Sequence, residues 1–289
     1  LYGIQRSILI DTLRDYAAKM GIEIEYGQRI DEERIEHLRK ESDILVGADG
    51  ANSVVRNRLK EYFKVHESVG GSAYIWLGNR SSLRAMKNLV KDYDGHPFIG
   101  ILYPIGKDNC LIVECNKSSL TKFGLDKMLN ASQNISNEGI DFLHNIFTDG
   151  HPKFKIHSVS SRWRQLQYIQ CENLVHENVA LIGEAAQTMS FHSGIGLIHA
   201  FNSGSHLAQS ISSGAPLEIS LANYAASVSG SLGDKWLASE GFRIGIDLIL
   251  RDYHRLDAGY IGSILGGIKI NDILKSSLSQ RPSSILRLR

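Results

Sequence analysis

The sequence lacks an electrical bias. Its 32 Lys and Arg stand against 31 Asp and Glu, a formal net charge of +1 at pH 7, so no basic surplus argues for nucleic acid or an anionic membrane surface as a partner. Cysteine is sparse as well. Cys110, Cys115 and Cys171 are odd in number and form neither a CxxC pair nor a zinc-type spacing, which gives no basis for a disulfide framework or a metal knuckle. They read as small core hydrophobes in a reducing compartment. No apolar run approaches the roughly 20 residues of a spanning helix, and the start lacks the charged-then-apolar pattern of a signal peptide. The expectation is a cytoplasmic protein without metal, membrane or nucleic-acid partner, for which small-molecule chemistry is the default.

What the chain does have is 289 residues of 43% hydrophobic content, enough for a sizeable core and two domains. Ile8, Leu9, Leu13, Tyr16, Ala17 and Met20 recur at helical spacing before Gly21, predicting a helix from Arg6 to Met20. Ile22 to Tyr26 alternates like a strand, Asp43 to Ala48 is a short apolar strand, and Ala51 to Lys60 reads as helical. From about His66 to Gln170 the texture changes to strand-like runs at Ala73–Leu77, Phe98–Tyr103 and Cys110–Glu114, punctuated by Asp94-Gly95 and a Ser/Asn-rich patch at Ser132 to Asn137. A mixed or antiparallel insert fits that pattern. Leu197 to Ser212 predicts a helix, Leu217 to about Ile273 a mostly helical tail, and Ser276 to Arg289 a frayed end.

Two stretches carry the chemistry. In the first, the strand-like run Asn178 to Ile182, with four apolar residues from Val179, meets Gly183-Glu184-Ala185-Ala186-Gln187, followed by a loop with Gly194, Ile195 and Gly196. A buried parallel strand ending in small residues and a glycine-bearing helix start lets backbone N–H groups approach a ligand closely. The second is a strand ending in Asp49-Gly50-Ala51-Asn52-Ser53-Val54-Val55-Arg56. Alone it reads equally as an ordinary strand-to-helix turn with a polar cap.

Together, in this order and spacing, the two stretches resemble the internal fingerprints of the FAD-dependent aromatic hydroxylases, the single-component flavoprotein monooxygenases of the p-hydroxybenzoate hydroxylase type. Gly3-Ile4-Gln5-Arg6 with Leu9 and Leu13 is similar to that family's arginine-bearing helix beside the cofactor, so the resemblance runs from about Gly3 to Ile211. It implies an α/β fold: a Rossmann-like FAD/NAD(P)-binding domain in two segments (1–65 and 172–215), an inserted β-rich substrate domain (66–171) and a helical C-terminal region (216–289). It further implies FAD as cofactor, NADPH or NADH as co-substrate, and aromatic hydroxylation through a flavin C4a-hydroperoxide. Cofactor contacts are implied for Arg6, Asp49, Gly50, Ser53, Arg56, Gly183, Glu184, Gln187, Gly194, Ile195 and Gly196, with backbone donors at the last three stabilising the reduced flavin. Trp76, Tyr103 and His192 become substrate candidates, while aromatic residues in strands are also ordinary core material. Trp76-Leu77-Gly78, Leu111 to Glu114 and the Phe191 loop look most like the branch acting on CoA-thioester or indole-derived aromatics, such as the salicylyl-CoA hydroxylases.

Three departures stand against the pattern. Glu184 stands where the family has Asp and Gln187 where it has His, and no Gly-x-Gly-x-x-Gly follows an apolar strand near the start. The last departure favours a fragment of a longer protein over a naturally short one. All three keep open a flavin-free pseudoenzyme serving as a binding or interaction module, and another flavin reaction such as halogenation or double-bond reduction remains a third reading. His192, His199 and His206 recur every seven residues, but roughly 10.5 Å apart along a helix they cannot share one ion. Arg162-Trp163-Arg164 reads as a basic, exposed strand edge or as an anion clamp.

Overall fold

The computed structural model describes residues 4–80, 85–106, 108–129, 134–148, 155–158, 161–268 and 273. In chain order these form α1 (Arg6–Lys19), α2 (Glu32–Glu41), β1 (Leu45–Gly47), α3 (Val54–Arg58), α4 (Lys60–Phe63), β2 (Val65–Val69), β3 (Ser72–Arg80), β4 (Lys87–Tyr93), β5 (His96–Ile105) and β6 (Asp108–Asn116). There follow α5 (Lys117–Lys122), α6 (Asn137–Thr148), β7 (Lys155–His157), β8 (Gln167–Cys171), β9 (Val175–His176), β10 (Val179–Leu181), α7 (Gly196–Ile211), α8 (Leu217–Asp252) and α9 (Ala258–Leu265). Two compact units result, each drawn from separate stretches. One comprises Leu1–Gln28, Gly71–Leu166 and Ile249–Tyr253; the other comprises Arg29–Gly70, Gln167–Leu248 and His254–Arg289.

The first unit is built on a five-stranded antiparallel sheet of order β4-β5-β6-β3-β7. Asp94 and Gly95 both take positive φ, 52° and 76°, and Tyr93 pairs with His96. This is the two-residue turn whose twist suits a hairpin, and it sets the register of β4 on β5. Alternate residues of the central strands then share one face. Ala73, Ile75 and Leu77 of β3, Leu111, Val113 and Cys115 of β6, and Phe98 and Leu102 of β5 join Leu143, Ile146 and Phe147 of α6 in one buried cluster. Gly100 lies in the same layer, where a Cβ would stand 2.5 Å from the Phe147 ring.

The second unit has a three-stranded sheet of order β1-β10-β9 and a β2-β8 pair. β1 and β10 run parallel, Leu45 opposite Val179 and Gly47 opposite Leu181, and β9 pairs antiparallel with β10. Val179, Ala180 and Leu181 are fully buried, packed with Ile35, Val55, Phe63, Leu207 and Tyr224. Burial pushes the Cys171 thiol in this core from 9.0 to about 11, with the Arg56 charge opposing the rise.

Several expectations change. Ile22 to Tyr26 is no strand, and every residue in it is exposed; alternation cannot make a strand without a neighbour to take its backbone hydrogen bonds. The five-residue strand expected at 178–182 shortens to Val179–Leu181. Of Arg162 to Arg164, expected as an exposed edge, Arg164 is exposed and Arg162 half-buried, while Trp163 between them is fully buried in the sheet unit's core; Arg164 pairs through its backbone with Tyr74. The 276–289 tail and part of the 132–137 patch lie outside the described residues. Among the described residues, no helix is long and apolar enough to cross a membrane.

Two outcomes are expected. Gly100→Val should cost about 1–3 kcal/mol in urea unfolding, the usual penalty for overpacking a filled core. The folded chain holds the Cys171 proton more tightly than the unfolded chain does, so the stability it contributes is full below about pH 9 and is lost as pH rises towards 11. Denaturation midpoints should fall across that window, and Cys171→Ala should flatten part of the fall.

Candidate functional site

The site begins where β1 ends. Asp49 Oδ2 accepts from the N–H groups of Val54 at 2.7 Å and Val55 at 3.4 Å, so its carboxylate closes the start of α3. Gly50 takes φ 78°, a left-handed turn that glycine adopts without strain. Ser53 is fully buried and caps the same helix, its Oγ accepting from Arg56 N at 3.0 Å. Two acceptors on five residues fix where Arg56 points.

Arg56 is only 2% exposed. Its Nη1 donates to the Ala185 carbonyl at 3.1 Å, and its Nη2 to the Ala51 carbonyl at 2.6 Å and to Asn57 Oδ1 at 3.3 Å. Glu67 Oε1 stands 4.0 Å away. The guanidinium therefore braces the Asp-Gly turn against the turn that follows β10, and bonds of this charge-assisted kind contribute about 1.5–3 kcal/mol each.

On the far side of that brace, Gly183 sits at φ 58° with a would-be Cβ 3.2 Å from Ala200 Cβ. Its N–H donates to Ser203 Oγ of α7 at 2.9 Å. Gln187 is 5% exposed, its backbone bridging Gln170. Thr188 Oγ1 accepts from Ile169 N and donates to the Gln167 carbonyl, both at 2.8 Å, tying the motif to β8. Tyr224, fully buried on α8, donates to the Leu181 carbonyl at 2.6 Å. Desolvation raises its pKa, so the phenol keeps its proton and its bond at physiological pH.

The loop beyond is held at one end and open at the other. Ser190 N donates to Ser239 Oγ at 2.6 Å, Ser190 Oγ lies 2.8 Å from His192 Nδ1, and the His192 ring stacks on Phe191 at 4.1 Å. Gly194 follows at φ 65°, with nothing within 4 Å of its would-be Cβ. Ile195 then precedes α7 with no side chain capping that helix, which leaves its positive end available to an acceptor or anion. The Glu184 carboxylate is exposed, and its Oε1 lies 3.8 Å from the point a Gly196 Cβ would occupy.

The structure thus gathers Asp49, Gly50, Ser53, Arg56, Gly183, Glu184, Gln187, His192, Gly194, Ile195 and Gly196 in the second unit, while Arg6, Trp76 and Tyr103 belong to the first. Arg6 is exposed at the start of α1; Trp76 and Tyr103 meet edge to face at 6.4 Å. Sequence reasoning missed Ser203, Ser239 and Tyr224, polar residues among many on α7 and α8 whose partners lie 20, 49 and 43 residues away along the chain. It also missed a cleft of 490 Å³ beside the Asp-Gly turn, lined among others by Asn52, Arg56, Lys60, Glu67, Gln167 and Tyr168.

Replacing Arg56 with Met should destabilise the chain by about 3 kcal/mol in urea unfolding, since buried carbonyls lose their donors. Arg56→Lys should recover only part of that, because an ammonium cannot fork between two loops.

No family model matches the chain. It is 26% identical over 200 residues to a 3-hydroxy-4-methyl-anthranilyl-[aryl-carrier protein] 5-monooxygenase of Streptosporangium sibiricum, covering 68% of this chain and 49% of that protein. It is also 26% identical over 200 residues to a salicyloyl-CoA 5-hydroxylase of Streptomyces sp., covering 67% and 38%. The match thus spans half or less of these curated relatives. Among solved structures, tetrameric 2-methyl-3-hydroxypyridine-5-carboxylic acid oxygenase superposes with a TM-score of 0.58 at 15% identity, over 78% of this chain and 59% of that one. The "probable FAD-dependent monooxygenase" PqsL of Pseudomonas aeruginosa gives 0.51 at 20% identity over the same shares. At these identities the superpositions speak for the fold.

Proposed function

We propose, from its likeness to two curated monooxygenases and from its fold, that the chain belongs to the FAD-dependent aromatic hydroxylases and forms part of an aromatic monooxygenase using FAD, NADPH or NADH, and O2. The observation that carries this reading is the open start of α7. Ile195 and Gly196 open the helix with no side-chain cap, next to Gly194, which has free space around it and whose own N–H is taken by the Phe191 carbonyl at 3.1 Å; the acidic Glu184 stands at the same helix end. Those groups fit a flavin whose pyrimidine edge gains negative charge on reduction. FAD, when bound, would supply electron uptake from the nicotinamide and activation of O2.

The chain's own groups would then orient and shield. Gly183 and the Arg56 brace fix the turn after β10, Ile195 and Gly196 donate to the flavin edge while Gly194 leaves the space for it, and Glu184 reaches for a ribityl hydroxyl. For the domains the proposal keeps 1–65 and 172–215 as the FAD-binding segments of a Rossmann-like domain, 66–171 as the substrate domain and 216–289 as the helical region, while by compactness Leu1–Gln28 groups with the five-stranded sheet and 216–248 with the Gly183 turn. The cleft beside Asn52, Lys60 and Tyr168 suits the nicotinamide co-substrate, with a cation for a phosphate and a ring for a base. We also assign this chain to a longer flavoprotein. β1 is an edge strand of its sheet, and Leu197, Ile198 and Phe201 of α7 are 52%, 54% and 48% exposed. A further parallel strand and helix would cover both.

A second reading, a flavin-free module on the same scaffold, is favoured by Glu184 and Gln187 at the two cofactor positions. Purification of the protein expressed from its complete reading frame separates the two. Bound flavin bands with NAD(P)H oxidation stimulated by an aromatic compound support the enzyme; a colourless protein that leaves added FAD fluorescence unquenched supports the module. In the flavin-binding case Gly194→Val should abolish flavin retention, and unchanged flavin content would remove the loop from the site. Lys60→Glu should raise the KM for the nicotinamide roughly tenfold while flavin content holds, about 1.4 kcal/mol of lost phosphate attraction.

A further inference from the structure

One face of the five-stranded sheet carries the core against α6. The opposite face carries a row of side chains at a single register: Tyr103 of β5 opposite Cys110 of β6, Cys110 opposite Gly78 of β3, and Gly78 opposite His157 of β7. Directly opposed residues point to the same side of a sheet. At the third place in this row no side chain exists, and the neighbouring imidazole takes the space. A Cβ on Gly78 would stand 2.1 Å from His157 Nε2. Gly78 is not among the residues with positive φ, so the backbone does not demand glycine there; the histidine ring does.

The ring therefore leans from the edge strand across β3, on the face where Cys110 and Tyr103 stand. Those two stand directly opposite each other, and burial raises the pKa of both, which keeps them protonated. His157 is half-buried, and no hydrogen bond to another described residue engages its ring. Two residues along β3, Trp76 shares the face. It is 43% exposed and meets Tyr103 edge-on, while Ile112 and Ile101, next across the sheet, are 3% and 5% exposed. Ile112 and Ile101 are thus already covered, and the two partly exposed rings, Trp76 and Tyr103, border an imidazole that can accept or donate one hydrogen bond.

We propose that His157, admitted to this face by Gly78, is the specificity-determining residue for the polar ring substituent of an aromatic substrate lying against Trp76 and Tyr103. The proposal rests on the reading of this unit as the substrate domain, and it requires no flavin. The Trp76 and Tyr103 rings bind the aromatic, and the imidazole selects a ring bearing a hydroxyl over one bearing a methyl group in the same place.

Calorimetric titration of the full chain, without added flavin, tests this with a matched pair of probes, 2-naphthol and 2-methylnaphthalene. The wild-type chain should prefer the naphthol by about tenfold, the worth of one hydrogen bond. His157→Phe should erase that preference and leave the methyl probe's affinity within about twofold. Gly78→Ala, which keeps the imidazole but expels it from its place, should erase the preference equally, with a thermal midpoint close to wild type as the check on folding. Equal preference in wild type and both variants overturns the assignment, as does failure of the folded wild-type chain to bind either probe. Neither result depends on whether the protein retains FAD, so failure here and failure of the flavoprotein reading are separate observations.

Discussion

The second unit depends on one buried guanidinium. Arg56 bridges two turns that lie 129 residues apart in the chain, and few other side chains could do so. Each turn offers carbonyl oxygens, and a planar fork of five donors can reach several acceptors at once without itself needing one. The arrangement is hierarchical. Asp49 and Ser53 close the first turn of α3, which aims Arg56; Arg56 then sets the backbone at Ala185, beside the left-handed Gly183. The cost of burying a charge is met by its carbonyl partners together with the nearby Glu67.

That hierarchy explains why the loop from Ser190 to Gly196 can be fixed at one end and open at the other. Ser190 is tied to Ser239, and Gly183 to Ser203 on α7, so the helix that follows is anchored along its length while its first N–H groups lack a side-chain cap. A rigid body carrying unsatisfied donors is what a preorganised anion site requires. Glycine enters the two units for different reasons. At Gly50, Gly183 and Gly194 it allows a left-handed turn, whereas at Gly78 and Gly100 it makes room for a ring from a neighbouring element.

Much of this was readable in the chain. Apolar spacing located α1 and α7 within a residue or two, the runs at 73–77, 98–103 and 110–114 fall inside β3, β5 and β6, and Asp94-Gly95 marked a hairpin. The two fingerprint stretches were legible because backbone geometry dictates their residues: a turn needs glycine, and a helix start needs an acceptor. The strand expected at 22–26 failed for a physical reason, since alternation describes two faces but not a hydrogen-bonding neighbour.

The sequence by itself determined part of the local grammar of this protein: several of the places where the chain bends, the strongest helical and extended segments, and the two turns built on left-handed glycines. Only the tertiary structure decided what the polar side chains do. Arg56 is a brace between two turns; Tyr224, Ser203 and Ser239, unremarkable in sequence, are anchors; and His157 lies over Gly78, on a strand nearly 80 residues away. Short-range signals survive in sequence because neighbours along the chain enforce them. Pairing between distant segments leaves no such trace, since each partner's residue type is compatible with many others until the fold brings one of them within 3 Å.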